Sequence, residues 1–502
     1  MKRFFSRKLY QEALSQLRLP GFLTSSALLA FAFLVPLTKR LSMPHSELVS
    51  WGFGGVTEFL TLFYLYLLFV PTLLSIVAFG FLNSRKKSDY YHALPVRRSS
   101  LFGSFAAAVF TWLIGTSIVA GLVYGGLYTV FGVPNAFSGF PLVLALLVTA
   151  LLFAASATML AMSITGTTFT GLVVTALIIW LPKLLSVLFQ SGVTDSLPVL
   201  PSQEAGLFGL HIKNSYYSLF GILGYPDGLE GAGALASTVF TGALALLLLA
   251  TACWLFVKRS SETAGSSAPG KKIQMIYRIA VALLSLMLLN SISALLYTGA
   301  LIMVVTTITL SLLALCTFEL ISTKRWRNLW YTLPAFGIAL VLSLAFTTLI
   351  WGVARYEASF TPSADQIAWV RIIDPKDWSE NAIEYYSLTT TQRLTLKQSA
   401  RSRTRFDSVE VRNTCATDLA QNTRKPVWGA RSIWSMDNNG YSDESYYDKN
   451  YGANWYGYEK IIVEIHTTDG SVKKRLIPIA CLGDGDYATL TPFGKALLAQ
   501  VK

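Results

Sequence analysis

The sequence has little charge, few cysteines and few histidines. Only 14% of its 502 residues are charged, whereas soluble domains carry about a quarter. It has four cysteines and four histidines, and no histidine lies at metal-binding spacing from another or from a cysteine. These shortages, together with the apolar content described next, exclude a soluble enzyme, a disordered regulator and a small secreted domain held by disulfides.

Long apolar runs repeat between residues 21 and 354. Each run has roughly the 20 residues that a helix needs to cross a bilayer. We therefore predict a polytopic α-helical membrane protein of about nine transmembrane helices, with six spans in a core and three more after it. The predicted spans are 21–37, 57–82, 101–128, 140–163, 168–188, 232–257, 279–298, 299–322 and 333–354.

The distribution of basic residues predicts the orientation. If the N-terminus is inside, 18 lysines and arginines fall in inside segments, and three fall in the outside loops before the last span. By the positive-inside rule the N-terminus is cytoplasmic. Nine spans then place residues 355–502 outside the cell. The basic excess lies in residues 1–354, with a net charge of +12, which favours orientation in the membrane over nucleic-acid binding.

Two polar segments flank the six-span core at 21–257. Residues 1–20 interleave basic and apolar side chains, which predicts a cytoplasmic interfacial amphipathic helix; a plain basic tail is the alternative. Residues 258–278 form a predicted cytoplasmic linker, and its Ser-, Gly- and Ala-rich part at 260–272 predicts flexibility. The linker separates the core from three additional spans within 279–354.

Residues 355–502 predict an extracellular α+β domain. A strand is predicted at 367–373 and a helix at 407–421. The clearest signal is a hairpin, in which Asp469-Gly470 separates apolar strands at 461–465 and 472–479. Cys415 and Cys481 both fall in this domain, where an oxidising compartment permits a disulfide. Two separately buried thiols are the alternative.

Aromatic residues crowd one stretch of the same predicted domain. They form a candidate external surface for a sugar-like or lipid-headgroup ligand, and a loop packed on its own domain is the alternative. The residues of this surface are Trp428, Trp434, Tyr441, Trp455 and Tyr456.

Chemical motifs are scarce. Gly265–Lys271 fits the GxxxxGK pattern of a phosphate loop, but Lys272 replaces the Ser or Thr that binds magnesium, and no strand precedes it. We predict no ATP site, no metal site and no catalytic residue in this chain. Glu58, Lys183 and Glu319 lie near predicted span ends and are interpreted as interface charges, with Glu319 in reach of Lys324.

The loop at 83–100 carries the most informative pattern. Ser88 is a suitable N-cap, Asp89 favours a helix start, and Pro95 ends the helix. Tyr90 and Tyr91 give the short helix an aromatic surface. The pattern predicts a cytoplasmic helix that docks into a partner's cleft; a basic loop that serves only orientation is the alternative.

This loop carries a resemblance to a known family. Its run Ser-Asp-Tyr-Tyr-His-Ala-Leu-Pro-Val-Arg-Arg resembles the loop between the second and third spans of bacterial ABC transporter permeases of the type-2 exporter class, common in Gram-positive bacteria. The segment before the first span and the long external loop at 189–231 are similar too. In that class the external loop holds short re-entrant helices, for which Pro182–Gln190 is a candidate. The hairpin resembles external domains appended to some of these permeases.

The resemblance implies a function. A coupling helix of Ser88, Asp89, Tyr90, Tyr91, His92, Ala93, Leu94 and Pro95 would fit a cleft on a separate ABC-type ATPase. ATP and magnesium would bind that partner, so this chain would be a transport subunit and not an enzyme. A second permease subunit, identical or different, and membrane lipids would complete an exporter or envelope machine in the bacterial cell membrane. A membrane sensor for an envelope ligand or antibiotic and an intramembrane enzyme are the alternatives.

Overall fold

The structure is a computed structural model that describes most of the chain. The described residues are 5–42, 44, 54–133, 140–196, 232–268, 270–293, 300–373, 399, 404–422, 458–481 and 489–500. Their contacts divide the chain into two units. The helical unit comprises Met1–Leu185, Ile212–Leu288 and Thr307–Val341, and the sheet unit comprises Ser186–His211, Leu289–Thr306 and Leu342–Lys502.

Helices make up most of the described chain before residue 359. They are α1 (Arg7–Ser42), α2 (Gly54–Phe79), α3 (Arg85–Ala93), α4 (Arg98–Val130), α5 (Phe140–Ile164), α6 (Thr168–Ser196), α7 (Ala232–Lys258), α8 (Lys271–Ser293), α9 (Ala300–Thr323) and α10 (Thr332–Ala358). Eight segments of the described chain are long and apolar enough to cross a membrane, which makes the protein a multi-pass helical protein. The predicted span 279–298 corresponds to α8, which is not among the eight, and residues 294–298 lie outside the described residues.

Helix α1 joins two segments that the sequence predicted to be separate. Leu9, Ala13 and Leu17 are buried at four-residue spacing, which confirms an amphipathic pattern in the first turns. The helix continues through Pro20 to Ser42, so the predicted interfacial segment and the first span form one continuous helix, and the interfacial position stays a prediction. A proline removes only one intrahelical hydrogen bond, and tertiary packing can hold the turn.

Packing against α4 fixes the position of α1. The Ser6 backbone N–H donates to Ser104 Oγ at 3.0 Å. A Cβ atom at Gly21 would lie 2.6 Å from the Trp112 ring, so only glycine allows this approach. Elsewhere in the helical unit, α5 packs extensively against α7. Small side chains let neighbouring helices approach closely, and α5 buries Ala150, Ala154, Ala157 and Ala161.

Helices α8 and α9 share a buried ion pair. The Arg278 guanidinium donates to both oxygens of Glu319, at 2.8 and 2.5 Å, and Gln274 donates to the same carboxylate at 3.1 Å. Glu319 is 0% exposed. The prediction of an interface charge in reach of Lys324 was therefore wrong, because a cation on another helix satisfies the carboxylate.

Helix α6 is longer than the predicted fifth span. It contains Pro182 and ends at Ser196. The candidate re-entrant segment Pro182–Gln190 is thus a continuous part of α6. Most of the predicted external loop, residues 197–231, lies outside the described residues, as does the side chain of Glu58.

After α10 the chain forms a four-stranded antiparallel sheet in the order β1-β2-β3-β4. The strands are β1 (Ile367–Ile373), β2 (Tyr458–Thr467), β3 (Val472–Cys481) and β4 (Thr489–Leu490), accompanied by helices α11 (Val409–Asn422) and α12 (Pro492–Gln500). The predicted strand, helix and hairpin are confirmed, and Gly470 takes the positive φ of 86° that its turn requires. The side of the membrane on which the sheet lies stays a prediction.

One face of the sheet forms a hydrophobic core with α11 and α12. Its buried members are Ile367, Val370, Ile372, Phe406, Val411, Cys415, Leu419, Ile461, Val463, Ile465, Ile477, Phe493, Ala496 and Leu497. Beside this core, Arg475 is only 1% exposed. Its guanidinium donates to the Glu357 carboxylate at 2.8 Å, and Lys473 donates to the other carboxylate oxygen at 3.0 Å. These bonds tie β3 to the last turn of α10.

The predicted disulfide is not formed in the structure. Cys415 is a free thiol on α11, and burial raises its pKa. Cys481 is the last residue of β3, and its side chain lies outside the described residues. The predicted aromatic surface also lies outside them. Its residues are Trp428, Trp434, Tyr441, Trp455 and Tyr456.

Candidate functional site

The loop predicted to dock a partner contains helix α3, which lies between α2 and α4. The helix begins at Arg85, after Ser84 in extended conformation, and it ends at Ala93. Leu94 is extended, with φ −63° and ψ 141°, as expected for a residue before proline. Pro95 therefore ends the helix as predicted. Ser88 is not the N-cap, because the helix starts at Arg85, four residues before the start at Asp89 that an N-cap at Ser88 would give.

One face of α3 is exposed. Lys86, Asp89, Tyr90 and Ala93 lie on it, and Tyr90 is 62% exposed. Val96 extends this surface beyond the helix and is also exposed. The prediction of exposed aromatics is right for one tyrosine only. The result is a small knob in which a single ring projects among charged side chains, and this exposed face is named the Tyr90 face below.

The opposite face of α3 is anchored by Tyr91. The Tyr91 hydroxyl donates to the Glu12 carboxylate at 2.6 Å and accepts from Gln16 Nε2 at 2.7 Å. Both partners lie on α1. Burial, followed by the hydrogen bond to Glu12, raises the pKa of Tyr91 to about 12, so the phenol stays neutral. Tyr91 therefore fixes α3 to α1, and its ring is not exposed for a partner to bind.

Ser88 and His92 also face inward. Ser88 is buried, and its Oγ lies 3.2 Å from His92 Nδ1. Burial, and then the charges of Arg98 and Arg259, lower the pKa of His92. The imidazole is thus neutral at pH 7 and serves packing within the loop.

A cluster of aromatic rings supports α3 from within the helical unit. The Tyr91 ring lies 4.5 Å from the Phe81 ring, and the Phe102 and Phe256 rings are 5.5 Å apart, measured between centroids. Such pairs add about 0.5–1.5 kcal/mol each beyond area burial. The rings of this cluster belong to Phe79, Phe81, Tyr91, Phe102, Phe105 and Phe256.

The linker after α7 packs beside α3 instead of hanging free. Arg85 Nε donates to the Ala264 carbonyl at 3.4 Å. The Gly265 N–H donates to the Gly166 carbonyl, between α5 and α6, at 2.8 Å. A Cβ at Gly166 would lie 2.0 Å from the Thr263 carbonyl oxygen, so the contact demands glycine. Within the predicted flexible part at 260–272, the backbone groups of Ala264 and Gly265 are thus hydrogen-bonded to other segments, and the flexibility itself stays a prediction.

Sequence reasoning missed the residues that anchor the loop. Glu12 and Gln16 are one helical turn apart on α1, a spacing that signals a shared face but names no partner. Arg98 and Arg259 were interpreted only as orienting charges. Within the part of the chain that is described, no three His, Cys, Asp or Glu side chains are grouped closely enough to hold a metal.

A groove lies between α2 and α6 in the helical unit. Its volume is about 510 Å³, and Ala154 of α5 forms part of its floor. Leu68 and Thr72 line it from α2, and Thr175 and Trp180 line it from α6. The lining is almost wholly apolar, as expected for a surface that contacts acyl chains or an apolar ligand.

The chain matches no family model, no curated protein and no solved structure. The similarity to type-2 ABC permeases therefore rests on the residues of the 83–100 loop and on the arrangement around it. What the structure establishes about identity is the coarser statement that this is a multi-pass helical membrane protein with an exposed, anchored helix between α2 and α4.

Proposed function

We propose that the protein is the permease subunit of an ATP-driven ABC transporter, and that a separate ATPase docks on the Tyr90 face of α3. The observation that carries the proposal is the two-sided character of this helix. One side projects a single aromatic ring among charges, and the other is fixed to α1 through Tyr91. An exposed aromatic on a rigid support is typical of an interface hot spot.

The anchoring supports a mechanical role. A partner that only attached to the membrane would not need the docking helix to be packed against several membrane helices, whereas a partner that moves them would. Here hydrogen bonds join α3 to α1, and ring contacts join α3 to the segment just after α2, to α4 and to α7. A force applied to α3 would reach several spans, as a two-state transporter driven by nucleotide needs.

The energy source would be the partner. The segment that matches GxxxxGK is engaged with the Gly166 loop through Gly265, and Lys272 stands where a magnesium ligand is needed. ATP and magnesium would bind the ATPase. A second permease subunit, identical or different, would complete the complex in the bacterial plasma membrane, with α3 on the cytoplasmic side. The groove between α2 and α6 is then a candidate surface for an apolar cargo.

Affinity purification of the full-length protein in mild detergent tests this function. A soluble ATPase should co-purify in about equal amount. Tyr90→Ala should weaken its binding about thirtyfold, the loss expected for an aromatic hot spot of about 2 kcal/mol. Tyr90→Phe keeps the ring and should retain most of the binding.

Tyr356→Ala is the matched control, because Tyr356 is another exposed tyrosine on a different helix, α10. It should leave ATPase binding unchanged. Purification without any ATPase, or equal binding by Tyr90→Ala and the control, would contradict the proposal and shift weight to a membrane sensor.

A further inference from the structure

Arg259, the first residue after α7, is a buried cation that two helix ends share. The residue is 7% exposed. One Nη donates to the Met162 carbonyl in the last turn of α5, and the other donates to the Leu82 carbonyl, just after α2, at 2.9 Å. Burial lowers its pKa to about 10, so the group is charged at neutral pH. A cation at such carbonyls is stabilised by the partial negative charge of each helix end.

Arg98, the first residue of α4, makes the same kind of contact with α7. Its Nη1 donates to the carbonyls of Val257 and Arg259, at 3.1 and 2.7 Å. The two arginines are therefore linked in series by hydrogen bonds. Arg98 caps the end of α7 and holds the backbone of Arg259, and the side chain of Arg259 caps the ends of α5 and α2.

In the sequence, helix α3 lies between Leu82 and Arg98, the two ends of this series of hydrogen bonds. Leu82 accepts a hydrogen bond from Arg259 just before α3, and Arg98 follows α3 by five residues. A displacement of α3 would therefore act on Leu82 and on Arg98 together. Within the described residues, both guanidinium groups donate to backbone carbonyls, which move with their helices.

We propose that Arg98 and Arg259 form one arginine clamp, a pair of positioning residues that moves the ends of α2, α5 and α7 together when α3 moves. The clamp deepens the proposed function and, in its role during transport, rests on it. The physical coupling between the two arginines does not require the partner. It can therefore be measured on the protein alone.

Hydrogen exchange of the full-length protein in lipid nanodiscs tests the clamp. Arg98→Met should accelerate amide exchange about tenfold at 80–84 and at 161–166, the effect of losing one charge-assisted hydrogen bond. Within the part of the chain that is described, the hydrogen bonds of Arg98 go to the carbonyls of Val257 and Arg259, so the clamp predicts that the change passes through Arg259. Arg259→Met should give the same pattern, and the double variant should add little to either single change.

Arg97→Met is the matched control, because Arg97 is the exposed neighbour and carries the same charge. It should leave both segments unchanged. Acceleration confined to 257–262 in Arg98→Met would overturn the proposal. If that variant fails to fold, Arg98→Lys provides the comparison, since an ammonium can reach one of the two carbonyls and should give a partial effect at the same segments.

Measurements of ATPase binding and ATPase stimulation test the clamp separately from the proposed function. Arg98→Met should still co-purify the ATPase that the wild-type protein retains, but should no longer stimulate ATP hydrolysis. If the wild-type protein retains no ATPase, the docking proposal fails while the exchange measurement still decides the clamp. Full stimulation by Arg98→Met would contradict the clamp's role in transport and leave docking intact.

Discussion

Two buried arginines, Arg259 in the helical unit and Arg475 in the sheet unit, have different kinds of partner. Arg259 faces backbone carbonyls at two helix ends. Arg475 faces the Glu357 carboxylate, which Lys473 also contacts. Removing Arg475 leaves the Glu357 carboxylate with only one of its two cationic partners. Removing Arg259 leaves two backbone carbonyls without a donor, but no uncompensated charge. The Glu357 cluster of the sheet unit, like the Arg278–Glu319 pair of the helical unit, therefore depends on compensation between charges, whereas Arg259 links helix ends through backbone dipoles.

The largest expected effect breaks the ion cluster. Arg475→Met should destabilise the sheet unit by about 3–5 kcal/mol, the cost of removing one partner of a buried pair. The measurement is the protection of β2 and β3 amides from hydrogen exchange. Lys474→Met, the charge-matched change at the half-buried neighbour, should cost under about 1 kcal/mol. Equal effects of the two changes would show that the Glu357 cluster is not a special source of stability.

A middle-sized effect concerns backbone packing at the helical unit. Gly166→Ala places a Cβ 2.0 Å from the Thr263 carbonyl and 2.5 Å from that of Ser266. Overpacking of this kind costs about 1–3 kcal/mol, and the linker should be displaced. Exchange at residues 261–268 should accelerate. Gly115→Ala, where a Cβ meets nothing within 4 Å, should leave the linker unchanged.

The smallest effect sharpens the picture of the sheet unit. Asp418 on α11 has a carboxylate oxygen that is buried without a hydrogen-bond partner among the described residues. Burial raises its pKa to about 6, above the value of 3.8 for a free side chain. Because the folded state raises this pKa, protonation of Asp418 stabilises the folded state. This contribution to the free energy of unfolding is full below about pH 4 and is lost as the pH rises through about 6.

Asp418→Asn imitates the protonated form, so it should slow exchange at α11 at pH 8, by an amount worth about 1 kcal/mol after solvent screening. At pH 4 the variant and the wild type should coincide. Comparison at equal pH cancels the intrinsic dependence of exchange on pH. A benefit of the same size at both pH values would show that the buried carboxylate is not the cause.

Local patterns predicted local structure well. The strand at 367–373, the Asp-Gly hairpin and most of the long apolar helices follow from the periodicity and turn chemistry of neighbouring residues. Even so, Ser84 rather than Ser88 precedes α3, because both serines suit an N-cap and packing decides between them. Helix existence was predictable there, and the first residue was not.

Contacts between distant residues were not predictable from the sequence. Tyr90 and Tyr91 are adjacent and chemically identical, yet one is exposed and the other binds Glu12 across 79 positions. Glu319 was interpreted by its distance from Lys324 in sequence, whereas its partner is Arg278 on another helix. Single-sequence reasoning supplies the side chains of a site but not the tertiary pairs that select among them.

The length of α1 has a consequence for the docking helix. At 1.5 Å per residue, its 36 residues extend about 54 Å, well beyond a hydrocarbon core of about 30 Å. Glu12 and Gln16 lie before Pro20, and the 22 residues after Pro20 suffice for a crossing. Pro20 thus lies at the junction between these two parts of α1, and the next residue, Gly21, packs closely against the Trp112 ring. A few degrees of bend there would re-aim the Tyr90 face without altering any residue that a partner touches.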